Sequence, residues 1–143
     1  NLALNIASCN SVGIHIRRGD YLNHKDFKGI CDLDYYQRAI NDLASKSEKF
    51  HFFIFSNDIQ WCKANIQPLI NNDKVTYVTE NRGNDSCWDM YLMSKCCNLI
   101  IANSSFSWWG AYLNVNAMNI YVPHKWNNSH ELNEIYCPDW IKI

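Results

Sequence analysis

An α/β fold of the Rossmann type, a parallel sheet with helices on both faces, is the fold class this sequence predicts. Three observations predict it. Short β-branched or aromatic runs alternate with segments whose apolar residues recur at helical spacing. Two of the runs, FHFFIFS and NLIIAN, are apolar almost throughout, as strands buried on both faces are. The polar clusters follow directly on the runs, at the edge where open parallel sheets hold ligands.

The first strand is VGIHI (12–16), alternating and β-branched. DYYQRAINDLASK (34–46) carries apolar residues at helical spacing, with Asp32 or Asp34 placed to cap it. FHFFIFS (50–56) is the second strand, and DIQWCKANI (58–66) suits a short helix that Pro68 limits. VTYVT (75–79) is the third strand, and NRGND (81–85) is a loop with a turn signal. SCWDMYLMSKC (86–96) reads as a helix, NLIIAN (98–103) as a strand and SFSWWGAYLN (105–114) as a helix. NIYVP (119–123) is a last strand closed by Pro123. This β-α-β-α-β-α-β-α-β order implies a parallel sheet with crossover helices, and residues 1–143 are read as one domain.

The size and the 48% hydrophobic, 19% charged composition are those of an ordinary globular protein. A net charge of −1 argues against a general nucleic-acid or polybasic membrane surface, so any basic site must be local. No apolar run approaches the ~20 residues that span a bilayer. No signal peptide is expected before the fold; the chain opens at Asn1, and a fragment of a longer protein is expected. The seven cysteines are odd in number and include no CxxC pair, so free thiols in a reducing compartment are expected. Three N-x-S sequons, at Asn84, Asn103 and Asn127, decide little in a chain with 19 asparagines.

Within VGIHIRRGDYL, Arg17 and Arg18 present planar forks that pair bidentately with phosphate. Gly19 lets the backbone turn sharply, and Asp20 can buttress an arginine. Surface charge and an adhesion tripeptide are the competing readings; the second is weakened by the position at a strand's end. In ANSSFSWWG, Ser104 and Ser105 can cap a helix whose free N–H groups make an anion site. Capping alone is the rival account, and Trp108 and Trp109 are expected in the core. CDLDY (31–35) imitates a metal-binding DxD but opens a helix, so capping is the better account and no metal is expected. His15 reads as a core histidine made suspect by its place two residues before Arg17.

HIRRGDYL (15–22), FSNDIQWCKANI (55–66), WDMYLMSKCCNLIIANSSFSWWGAYLN (88–114) and CPDWIKI (137–143) occur in order over nearly the whole chain. Together they resemble the α-1,2-fucosyltransferases of glycosyltransferase family 11 and, more distantly, the α-1,6- and protein O-fucosyltransferases. The resemblance implies one half of a GT-B-like enzyme, the C-terminal portion that binds GDP-fucose. The family's glycine-rich GGLGNQ segment has no counterpart, so the N-terminal domain of the same enzyme, with part of the acceptor site, is expected to be missing.

The resemblance also implies site roles. Arg17 matches the residue that holds the donor pyrophosphate, and Arg18 its supporting neighbour. His15 and Asp89 match a guanine-recognising pair, and a carboxylate suits guanine N1–H and N2–H. Ser105, with Ser104 before it, matches a hydroxyl near the phosphates; Asn57 and Asp58 match a polar pair near the nucleotide. Asp20 joins Arg17 as a catalytic candidate, as base or as buttress, with Asp26 close by. The implied reaction is inverting transfer of fucose from GDP-fucose to the 2-hydroxyl of a terminal galactose, without metal or other cofactor. The expected partners are that donor and a galactose-terminated glycan, with no nucleic acid. The expected location is a bacterial cytoplasm or the periphery of the inner membrane. The alternative is a GDP-binding module inactive on its own.

Overall fold

The computed structural model describes residues 1–46, 49–71 and 73–143. Its strands are β1 (Ser11–Ile16), β2 (His51–Ser56), β3 (Lys74–Val78), β4 (Asn98–Ile100), β5 (Asn119–Val122) and β6 (Ile141–Lys142). Its α-helices are α1 (Leu2–Ala7), α2 (Leu33–Ala44), α3 (Ile59–Asn65), α4 (Cys87–Met93) and α5 (Ser105–Tyr112). The strands form one sheet in the order β3-β2-β1-β4-β5-β6, and every pairing is parallel. The sequence reading is thereby met: a Rossmann-like α/β arrangement.

Strand alternation divides the interior in two. Val12, Ile14 and Ile16 of β1 point to one face, where they pack with Tyr35, Tyr36, Ala39, Ile40 and Leu43 of α2 and Cys62 of α3. Phe53 and Phe55 of β2 point to the other, with Leu99, Leu92 and Met93 of α4, Ala111 of α5 and Ile6 of α1. Helices therefore cover both faces. Gly13 lies on the β1 face turned toward the second core. A Cβ there would meet Leu99 Cδ2 at 2.8 Å and Cys96 Sγ at 3.0 Å, so the strand and its neighbours close up over a residue without a side chain.

The β1–β4 ladder ends at Ile14 and Ile100, whereas β1 stays paired with β2 as far as Ile16. The chain order reverses at this gap, the topological switch point of the sheet. Two tyrosines of α2 meet carbonyls there. The Tyr36 hydroxyl donates to the His15 carbonyl (3.0 Å), and the Tyr35 hydroxyl donates to those of Ile101 (2.6 Å) and Tyr121 (3.2 Å). Asp32 caps α2 by accepting from the Tyr35 N–H at 2.9 Å, while Asp34 accepts from Arg38 at 2.8 Å. CDLDY is thus a capping segment.

Two local expectations are corrected. Trp108 is partly buried and donates its indole N–H to the Ile135 carbonyl (2.7 Å), but Trp109 is 48% exposed. Helical spacing puts neighbouring residues on different sides of α5, and only one tryptophan can face the core. Ser104 stands at the N-cap of α5 without a side-chain capping bond. The hydroxyl that turns back there is Ser107 Oγ, which donates to the carbonyls of Ala102 and Ser104. Asn103, a sequon asparagine, is 2% exposed and donates to the Trp126 carbonyl at 3.1 Å. All seven cysteines are free.

Candidate functional site

A cleft of about 690 Å³ lies over the carboxyl ends of β1, β2 and β3, between the turns that lead into α3, α4 and α5. It gathers His15, Arg17, Asn57, Asp58 and Asp89 from the sequence-derived candidates. Arg18, Asp20, Ser104 and Ser105 do not line it.

His15 enters from β1 with its ring tilted against Phe106, centroids 5.5 Å apart. It is 6% exposed, and its Nδ1 has no hydrogen-bond partner among the described residues. Burial, reinforced by the charge of Arg17, pulls its pKa down to about 3. The ring is therefore neutral near pH 7. A neutral imidazole offers one N–H donor and one acceptor nitrogen, which suits a heterocycle edge better than an anion.

Arg17 follows two residues later and is held by Asp20, whose Oδ1 and Oδ2 lie 3.1 and 3.2 Å from one guanidinium nitrogen. Gly19, at φ +66°, makes the left-handed turn that brings Asp20 back. The hydrogen bond from Arg17 holds the exposed Asp20 carboxyl below its ordinary range. A carboxylate so engaged is a buttress for the guanidinium and a weakened proton acceptor.

Arg18 takes the opposite direction. Its Nε lies 3.3 Å from Asp58 Oδ2, and its guanidinium carbon sits 3.9 Å from the centre of the Trp61 ring on α3. Asn57 Oδ1 accepts from the Arg18 backbone N–H (2.9 Å), and Asn57 Nδ2 donates to the Arg18 carbonyl (3.2 Å). Asp58 also caps α3, accepting from the Trp61 N–H at 3.0 Å. Both polar residues that border the cleft at β2 are thus committed to the arginine turn.

Asp89, in the first turn of α4, is half-buried, and Asn81 Nδ2 donates to its Oδ1 at 2.7 Å. Burial pushes its carboxyl pKa up, opposed by that hydrogen bond. Its second oxygen has no hydrogen-bond partner among the described residues. Arg82, next to Asn81, also lines the cleft and makes no ion pair among the described residues. Sequence reasoning passed over it; the available signal was a basic residue in the loop after β3, at the carboxyl edge of the sheet. Phe106 was missed too, because an aromatic at a helix start reads as core.

The cleft can therefore hold an anion at Arg17 and Arg82, and a planar donor edge at Asp89 beside a neutral imidazole. Fold and cleft together define a Rossmann-like α/β protein with a concave site at the carboxyl edge of its parallel sheet. The family described as Glycosyl transferase family 11 matches residues 1–143, and the chain belongs to that family. It is 40% identical over 145 residues to an "Alpha-1,2-colitosyltransferase" of Escherichia coli, covering 96% of this chain and 49% of that protein. It is 36% identical over 145 residues to the "O-antigen biosynthesis glycosyltransferase WbnK" of Escherichia coli, covering 95% and 45%. It is 29% identical over 141 residues to the human "Galactoside alpha-(1,2)-fucosyltransferase 1", covering 92% and 38%. The chain spans about half the length of the bacterial relatives it matches.

Proposed function

We propose that this chain supplies the nucleotide-sugar site of an inverting α-1,2-glycosyltransferase that moves L-fucose from GDP-fucose to the 2-hydroxyl of a terminal galactose. The observation that carries the reading is the meeting of Arg17, Asp89 and a neutral, unpartnered His15 in one cleft. Asp89 would accept from guanine N1–H and N2–H, with His15 at the same base. Arg17 would hold the pyrophosphate.

In transfer, the acceptor hydroxyl attacks the anomeric carbon as the bond to the β-phosphate oxygen breaks, through an oxocarbenium-like transition state. Negative charge grows on the leaving pyrophosphate. A guanidinium already aimed at that position stabilises the charge without reorganisation. No metal or other cofactor enters this scheme. Asp20 serves as the buttress of Arg17, and the proton acceptor is assigned to the half of the family polypeptide outside this chain. The relatives' names include both fucosyl and colitosyl transfer. Colitose is fucose without its 3-hydroxyl, so the donor sugar is the finer point to test. Among the described residues no helix is long and apolar enough to cross a membrane. The likeness to bacterial enzymes supports a place in the cytoplasm or at the inner membrane's periphery.

A second reading, a GDP-binding module inactive alone, is favoured by the chain's share of its relatives' length. Calorimetric titration with GDP, followed by transfer assays from GDP-fucose and GDP-colitose to lactose, separates the two. Saturable GDP binding with transfer supports the enzyme, and binding without transfer supports the module. Absence of GDP binding overturns both.

A further inference from the structure

We propose that Trp61 is a positioning residue that sets the aim of Arg17, acting through Arg18. The proposal rests on the reading that the cleft holds the pyrophosphate of a guanosine diphosphate. It concerns a residue that does not line that cleft.

The chain leaves β1 in extended form, with Arg18 at φ −125° and ψ −151°. In extended backbone successive side chains point to opposite sides. His15 and Arg17 therefore face the cleft, while Ile16 and Arg18 face α2 and α3. Asp20, and Tyr21 with its ring centre 5.5 Å from the Arg17 guanidinium carbon, steer Arg17 without fixing it. The Arg17 side chain is 40% exposed and its partner Asp20 is 62% exposed, and such an ion pair is screened by water and loosely ordered.

Arg18 is held far more firmly. Its side chain is 21% exposed, with the guanidinium over the Trp61 indole at 3.9 Å and against Asp58 at 3.3 Å. Its peptide is gripped at both the N–H and the carbonyl by the Asn57 amide. A Cβ on the next residue, Gly19, would come within 3.1 Å of Asn57 Nδ2, so the amide fills the inside of the turn. Trp61 is in turn fixed on α3: its N–H donates to Asp58, its carbonyl accepts from Asn65 Nδ2 at 2.9 Å, and its ring packs against the first core. Consecutive Cα atoms are 3.8 Å apart across a planar peptide, so a fixed Arg18 transmits its orientation to Arg17. Arg18 thereby acts as a strut, and Trp61 as the wall it is braced against.

The test is a double-mutant cycle read by calorimetry on the full chain, with GDP and with guanosine as ligands. Trp61→Leu is expected to weaken GDP binding by about tenfold, because a misaimed fork loses its bidentate contact. Guanosine binding is expected to be unchanged, and Trp61→Phe is expected to restore most of the GDP affinity. In an Arg17→Ala background, Trp61→Leu is expected to have no further effect on GDP. Equal losses for GDP and guanosine, full additivity with Arg17→Ala, or unaltered GDP affinity in folded Trp61→Leu would each overturn the proposal. Should Trp61→Leu not fold, Arg18→Met keeps the apolar stem over the indole, removes the charge and carries the same expectations. Absence of GDP binding by the unaltered chain, or GDP affinity indifferent to Arg17→Ala, would instead overturn the donor-site reading beneath it.

Discussion

Asp20 meets Arg17 with both carboxylate oxygens, yet water screens the pair and its worth lies in direction more than in stability. Removing the Arg17 fork should therefore leave the fold alone and strike the chemistry. In a family polypeptide carrying both halves, Arg17→Ala is expected to lower transfer by ~10²–10³ with an unchanged circular dichroism spectrum. A stability signal belongs instead to His15. Its pKa is about 3 in the folded chain against the usual 6.5, so between those values the unfolded chain binds a proton that the native chain refuses. The contribution is whole above pH 6.5 and is lost on acidification; by pH 5 about 2 kcal/mol should be gone. Urea denaturation at pH 7 and pH 5 should show this loss, and His15→Gln should remove it. Arg17 and His15 could be picked out because a basic or titratable residue at a strand's carboxyl end has few structural uses, whereas Asp89, in the first turn of a helix, was singled out only by the family resemblance. Arg82 was not legible, because an arginine in a polar loop differs from surface charge only by where the loop folds.

Alternation and helical period placed β1, β2, α2 and α3 within a few residues of their observed bounds, since each has a buried face that writes its period into the residues. The pieces without that imprint escaped. α1 is six residues held by an Asn1 cap and the single buried Ile6, and β6 is two residues paired with Tyr121 and Val122. Segments this short carry no period to read. The Ser104 cap failed for a related reason: which hydroxyl turns back onto the backbone is settled by packing around the helix start, and Ser107 sits on the inward side. β1 also supplies a strict test of element packing. Gly13→Ala keeps the strand's hydrogen bonds but drives a methyl against the fully buried Leu99 and Cys96. It is expected to cost about 1–3 kcal/mol, measured by chemical denaturation, with the spectrum of the native state retained.

Cysteine distribution is a property of the whole molecule. Cys62 and Cys96 are 0% exposed, Cys87 stands open at the start of α4, and none is cross-linked. A thiol reagent should label Cys87 at once and reach Cys62 and Cys96 only on unfolding, and added reductant should not move the melting midpoint. A labelling count that ignores denaturant would contradict the two-core packing. The same architecture also constrains assembly. In the sheet, Val12 lies beside Phe52 on one side and Asn98 on the other, and no two neighbouring strands are joined by a hairpin. The central strand is made first and then must wait, its flanks open, for partners encoded far downstream. Such non-local pairing is slow because loop closure precedes any reward. The chain should therefore refold over milliseconds to seconds, and its most aggregation-prone moment should be the interval in which β1 has found β2 but β4 has yet to arrive.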